Sequence, residues 1–223
     1  MPRAMLPEAA IADVEALKAA GFAATWIRTE PWIHSVEVSL DGEVTRLEWV
    51  ADSDYRFFPT VPDPTFGYVL HPVDLALNKV TAAAGRRALR DMIDLVTIHE
   101  KILPLGALVW AVVDKAIGFT PEGLLAEIRR NVFHPRADWE LLSATEPMDP
   151  ARITQALRKA IDEAEAFVAQ MPTDKAGLLF LENGRVVQPN PTRLDSYQTH
   201  AGCRRGHWPS NSEITSAMLE SYA

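Results

Sequence analysis

Hydrophobic and polar positions change their spacing twice along this chain, and each change marks a new kind of element. Ile11, Val14 and Leu17 recur at helical intervals within residues 6–20, and Gly21 supplies a stop, so a first helix is predicted there. From Phe22 the interval shortens. Phe22–Arg28, Ile33–Leu40 and Val44–Val50 are rich in Val, Ile, Trp and Thr and bounded by turn residues, which predicts three strands. Val36, Val38 and Leu40 alternate with Glu37 and Ser39, as a half-buried strand requires. Asp41-Gly42 separates the last two runs. A type I′ hairpin turn demands positive φ at both central residues, and Asp-Gly tolerates it.

The interval lengthens again beyond Pro59-Thr60-Val61-Pro62-Asp63-Pro64, whose prolines withdraw ladder donors and predict a loop. Helices then fill the chain to about residue 170. The first starts near Pro72, carries Val73, Leu77, Val80 and Ala84 on one stripe, and stops at Gly85. A second runs from about Ala88, with Leu89, Met92, Ile93 and Val96 inward, and a third covers Leu105–Val113. Thr120-Pro121 and Asp149-Pro150 each pair an N-cap residue with a first-position proline. They open a fourth helix, through Arg130, and the longest, over about 150–170. Leu178–Leu181, Asn183-Gly184 and Arg185–Gln188 read as a small hairpin before a polar tail. Strands first and helices later make an α+β plan, divided at 1–64, 65–172 and 173–223.

Composition narrows the classes. With 48% apolar and 23% charged residues over 223 positions, the chain falls near the globular average, which excludes a disordered or fibrous protein. A net charge of −8 argues against a surface that coats DNA in general. Cys203 is the one cysteine, so there is no internal disulfide framework, as a reducing compartment would favour. The most apolar run, Ile102–Val113, is broken by Pro104 and Gly106 and is far short of the about 20 residues a membrane span needs. Glu8, Asp13 and Glu15 interrupt the region where a secretory leader would be apolar, so the expected address is cytoplasmic, with no membrane partner.

Candidate chemistry concentrates between Leu70 and Asp94. With Val73, Leu77, Val80 and Ala84 on the core face, Lys79 points well away from it. Arg86, Arg87 and Arg90 follow. Asp91 and Asp94 share a helix face, and Arg87 and Arg90 each stand four positions before one of them. Spacing leaves two arrangements open. One is a solvated face laced with ion pairs. The other is an anion site in which lysine and arginines meet a polyphosphate while the aspartates orient them.

The constellation Asp74-Leu75, Lys79, Ala82–Ala84, Arg86-Arg87 and Arg90-Asp91-Met92-Ile93-Asp94 resembles the AbiEii/AbiGii-type nucleotidyltransferase toxins, a branch of the polymerase-β-like superfamily. Arg46–Pro59 and Leu103–Asn131 are similar to members of the same group, and the likeness covers about residues 20–135. The resemblance implies Mg²⁺-dependent transfer of a nucleoside monophosphate from an NTP to an RNA or protein acceptor, tRNA by analogy, with an antitoxin as a further partner. It implies Lys79, Asp91 and Asp94 as catalytic residues. Lys79, Arg86, Arg87 and Arg90 would bind the nucleotide, and Glu48 would be the metal-binding carboxylate. The family's opening block, a glycine turn followed by Asp-x-Asp on a strand, has no match before Glu48. A late start, a decayed gene or a module kept for binding each accounts for that, and weak or absent transfer activity is expected. Asp52-Ser53-Asp54 spells the motif, but at the end of a strand beyond a turn.

Other features rank lower. His200, Cys203 and His207 have zinc-like spacing without a fourth ligand. Trp26 and Trp49 are candidates for stacking, although core packing is the commoner use of tryptophan. Arg129, Arg130 and Arg136 cluster at a helix C-terminus, where the dipole favours cations. His71 and His99 are expected to cap or pack.

Overall fold

A computed structural model describes residues 3–65, 67–142 and 148–205. They form two compact units, residues 3–55 with 204–205, and residues 56–203. The class is α+β. Two short strands, β4 (Tyr55–Arg56) and β10 (Cys203–Arg204), span the points where the chain passes from one unit to the other.

The first unit packs α1 (Leu6–Ala19) on an antiparallel sheet of β1 (Ala23–Glu30), β2 (Ile33–Leu40) and β3 (Glu43–Val50), in that order. Asp41 and Gly42 have φ of 53° and 88°, as the hairpin turn requires. Val14 of α1 meets Val36 and Val38 of β2, and Leu17, Ala24, Trp26, Leu47 and Trp49 close the cluster. Trp49 Nε1 donates to Asp13 Oδ2 at 2.7 Å, so the indole is buried on one side and bonded on the other. Trp26 and Trp49 are thus partly buried, packed against the core of this unit. Residue Ile27 is left out of the β1–β2 register, a bulge that turns its side chain outward.

The second unit is built around α4 (Leu105–Val112), every residue of which is buried. Around it pack α2 (Pro72–Gly85), α3 (Leu89–Lys101), α5 (Pro121–Asn131), α7 (Pro150–Val168) and the strand β7 (Leu178–Glu182). Gly106 permits the closest approach. A Cβ there would lie 2.8 Å from both the Phe167 ring and Gln188 Oε1, so α4 can touch α7 only without a side chain. The start of α4 is capped from elsewhere: Leu105 N–H donates to His99 Nδ1 at 3.1 Å, and Ala107 N–H to Gln188 Oε1 at 3.2 Å. Thr120 and Asp149 cap α5 and α7 through their side chains. Asn131 donates to the last carbonyls of α2, at Ala83 and Ala84, tying the end of α5 to the end of α2.

Four local expectations change. The proline-rich segment is not wholly loop. Val61–Asp63 (β5) pairs with Gly67–Val69 (β6), because an isolated ribbon leaves Pro62 no ladder bond it must donate. The polar tail supplies a strand, β9 (Gln198–Ala201), which pairs with β7 on the side opposite β8 (Arg185–Val187). Arg136–Glu140 forms a short helix, α6, where the sequence pattern predicts none. Finally, the inward stripe of α3 is Leu89, Met92, Leu95 and Ile98, with Ile93 and Val96 only half-buried. The stripe is rotated because Asp91 faces inward as well. Among the described residues, no single helix is long and apolar enough to cross a membrane.

Candidate functional site

The site grows from one buried carboxylate. Asp91 lies in the first turn of α3, where the helix dipole favours an acid, and Ala88 enters the helix in extended conformation. The carboxyl group has no solvent exposure. Its Oδ2 accepts from Arg86 Nε at 2.7 Å, and its Oδ1 from Lys79 Nζ at 3.2 Å and an Arg86 terminal nitrogen at 3.3 Å. Lys79 Nζ also reaches Asp94 Oδ2 at 2.7 Å. A carboxylate removed from water costs several kcal/mol unless paired; here two cations from α2 and its C-cap supply the pairing.

The protonation states follow from this geometry. Burial pushes the Asp91 carboxyl up, but the bonds from Arg86 and Lys79 and their charges outweigh it, and the group stays below the usual carboxylate range. The Asp94 bond, helped by Asp91 and opposed by burial, holds the Lys79 ammonium above its ordinary value. Arg86 is raised chiefly by its bond to Asp91. Lys79, Arg86 and Asp91 are therefore all charged at neutral pH.

A groove of about 480 Å³ opens beside them. Lys79, Arg86 and Asp94 line its polar side, while Leu75, Ile98 and Ile102 are among its apolar walls. Lys79 keeps 37% of its side chain exposed and Arg86 53%, so both can meet a ligand without leaving Asp91.

The structure thus brings Lys79, Arg86, Asp91 and Asp94 together. It does not bring in the other two arginines. Arg87 precedes α3, so helical spacing does not carry it to Asp91; it points instead to Asp138, 3.8 Å away. Arg90 is exposed and makes no ion pair among the described residues.

Glu48 belongs to the first unit. It faces Ser35 across the β2–β3 ladder, between Leu47 and Trp49, which face Val36 and His34. Glu48 is 3.2 Å from Arg46 and contributes to the field at Arg28. A carboxylate paired with a guanidinium group is a poor cation site, and Mg²⁺ wants further oxygen donors. Among the described residues no three His, Cys, Asp or Glu side chains converge as metal ligands. The magnesium ion implied by the resemblance does not fit the donors described.

The lesser candidates are occupied locally. Asp52 accepts from Ser53 N–H in the loop after β3, and Asp54 pairs with Arg204 at 3.2 Å. His200 lies with its Nε2 2.7 Å from the Phe57 carbonyl oxygen and its ring stacked on Phe58, while Cys203 is exposed and His207 lies outside the described residues. Arg129 bonds Asp162 and Glu165 of α7. His71 caps α2, accepting from Val73 N–H at 3.2 Å, and its ring lies against Phe58.

Sequence reasoning missed two residues that matter here. Asp74, quoted only as part of a motif, is buried and accepts from the backbone N–H groups of Phe57 and Phe58 at 2.8 and 2.9 Å. It anchors the start of this unit to α2. Lys115, beyond the end of α4, donates to Asn78 Oδ1 at 2.7 Å, beside Lys79 in sequence. No sequence signal joins Lys115 to Asn78, since the contact spans 37 positions. No family model, curated protein or solved structure matches the chain.

Proposed function

We propose that this chain is a nucleotidyltransferase-like protein of the AbiEii/AbiGii type whose α2–α3 groove binds the phosphates of an NTP. The observation that supports this reading best is the placement of Lys79. Its ammonium is fixed by Asp91 and Asp94 at the polar side of a groove, with more than a third of the side chain still exposed. A fixed lysine beside an arginine fork suits a polyphosphate, which the one meets as a point charge and the other through paired N–H groups. Asp91 is the positioning group for both. Transfer of NMP to an RNA or protein acceptor, in a toxin–antitoxin setting in the cytoplasm, is the activity this reading carries. Weak transfer is the expectation, since no carboxylate cluster that could hold Mg²⁺ is found among the described residues.

Calorimetry with ATP and Mg²⁺ tests the reading. Binding is expected in the wild type and loss of at least tenfold in Lys79→Ala, the size of one charge-assisted hydrogen bond. Heat-silent mixing with the wild type would sink it. Incubation with labelled NTPs and an RNA pool should give no product above the Lys79→Ala control, and strong Mg²⁺-dependent labelling would contradict the weakened transfer.

A second reading, a binding module without catalysis, is favoured by the exposed Leu75 and Ile102 on the groove walls. Apolar walls of this kind also suit a protein partner. A Leu75→Asp variant that keeps ATP binding but loses a co-purifying partner would support it.

A further inference from the structure

We propose that Lys115, pinned by the groove-lining Asn78, is a second phosphate-binding cation beside this groove and supplies the positive charge that the Lys79 cluster lacks. This rests on the nucleotide reading above. The Lys79 cluster is formally balanced as a group, since the two basic side chains, Lys79 and Arg86, are matched by two carboxylates, Asp91 and Asp94. A neutral cluster offers short-range hydrogen bonds to a polyanion but little attraction beyond them. Something else must tip the local balance.

Lys115 has the required properties. Its ammonium lies 2.7 Å from the amide oxygen of Asn78, a half-buried contact with an uncharged acceptor. Lys115 makes no ion pair among the described residues, so its charge is not cancelled where Lys79's is. An ammonium group has three donors. One is spent on Asn78 and the other two remain available, whereas Lys79 has already given two to carboxylates.

Placement agrees with this. Asn78 lines the groove and immediately precedes Lys79 on α2. Lys115 is held by the turn that ends α4, where its own N–H and that of Ala116 donate to the Val112 carbonyl at 2.9 and 2.8 Å. Both ends of the side chain are thereby fixed, so little rotamer freedom is left to lose when a phosphate arrives. A polyphosphate lying along α2 would meet Lys79 at one point and Lys115 at another. Asn78 acts as the positioning residue between them.

Calorimetry with inorganic tripolyphosphate and, separately, with ATP tests the assignment on the full chain. Lys115→Gln should weaken both ligands about tenfold at low ionic strength, by the loss of one charge-assisted contact. The deficit should shrink as salt is raised, because screening removes the charge that the variant lacks. Lys115→Arg should restore most of the affinity, and Asn78→Ala should lose part of it while keeping the charge. Thermal midpoints of the four proteins separate binding from folding. If Lys115→Gln binds both ligands as the wild type does while Lys79→Ala does not, this inference falls and the nucleotide reading stands. A wild type that binds neither ligand overturns both. Equal losses in Lys115→Gln and Lys115→Arg, tracking a lowered thermal midpoint, would make the residue structural and overturn the assignment.

Discussion

Two clusters of arginine and carboxylate in the second unit use the same residue types and do different work. At α2–α3, Arg86 and Lys79 converge on Asp91, which has no exposure at all. At α5–α7, Arg129 bonds Asp162 at 2.6 Å and Glu165 at 3.0 Å, but those carboxylates keep 66% and 46% of their side chains in solvent. The contacts are equally short. The surroundings decide their value. A surface pair exchanges water for a partner almost evenly, while a buried carboxylate has no water to return to when its partners are removed. The first cluster therefore holds its side chains in fixed places. The second merely decorates a helix contact made by apolar residues such as Ile128 and Ile161.

That contrast can be broken experimentally, beginning where the effect is largest. Asp91→Ala removes the shared acceptor and strands two cations at once; unfolding in urea should show a loss of about 3–5 kcal/mol, the cost of breaking a buried pair. A loss below about 1 kcal/mol would place Asp91 with the surface pairs.

Acid should dissolve the same advantage. Asp91 is held below its unfolded pKa of about 3.9, so the unfolded chain takes up its proton first as the pH drops. Its contribution is complete above that value and is lost as pH falls through the folded pKa. The stability gap between wild type and Asp91→Asn should be constant from neutrality down to about pH 5 and narrow below pH 4. A gap that widened in acid would show that the carboxyl is raised rather than lowered.

Arg86→Met leaves Asp91 with Lys79 alone, and about 1–3 kcal/mol should be lost, as for one under-satisfied buried acceptor. Smallest of all, Arg129→Ala should cost about 0.2–1 kcal/mol in dilute buffer and less in high salt. A salt-insensitive loss at Arg129, or a salt-sensitive one at Asp91, would invert the comparison.

Local signals in the chain were enough for most of the elements. The Asp41-Gly42 turn, the caps at Thr120 and Asp149 and the α2 stripe are short-range effects, set by backbone sterics and by side chains within a turn or two. The errors are of another kind. Strand β9 is polar and gains its place by pairing with β7 some twenty positions earlier. The α3 stripe departs from its apolar spacing because an aspartate, Asp91, is among its most buried residues. Helix α6 is too short for periodicity to register.

At the candidate site, the residue types were legible and their partners were not. Helical spacing pointed to Arg87 and Arg90 as companions of Asp91 and Asp94, yet the partners are Arg86 and Lys79. The reason is that α3 begins only at Leu89, so Arg86 reaches Asp91 across the helix junction and Lys79 reaches it across the helix pair.

The sequence by itself determined the order of elements, their turns and caps, and the presence of a lysine, three arginines and two aspartates within sixteen positions. Those depend on interactions reaching only a few residues along the chain. Tertiary structure alone decided which of these charges share a carboxylate, which are left to solvent, and that Lys115 stands against Asn78. Burial is the physical reason. The value of a charge depends on the dielectric around it and on the partners within about 4 Å, and both are fixed only when distant segments pack together.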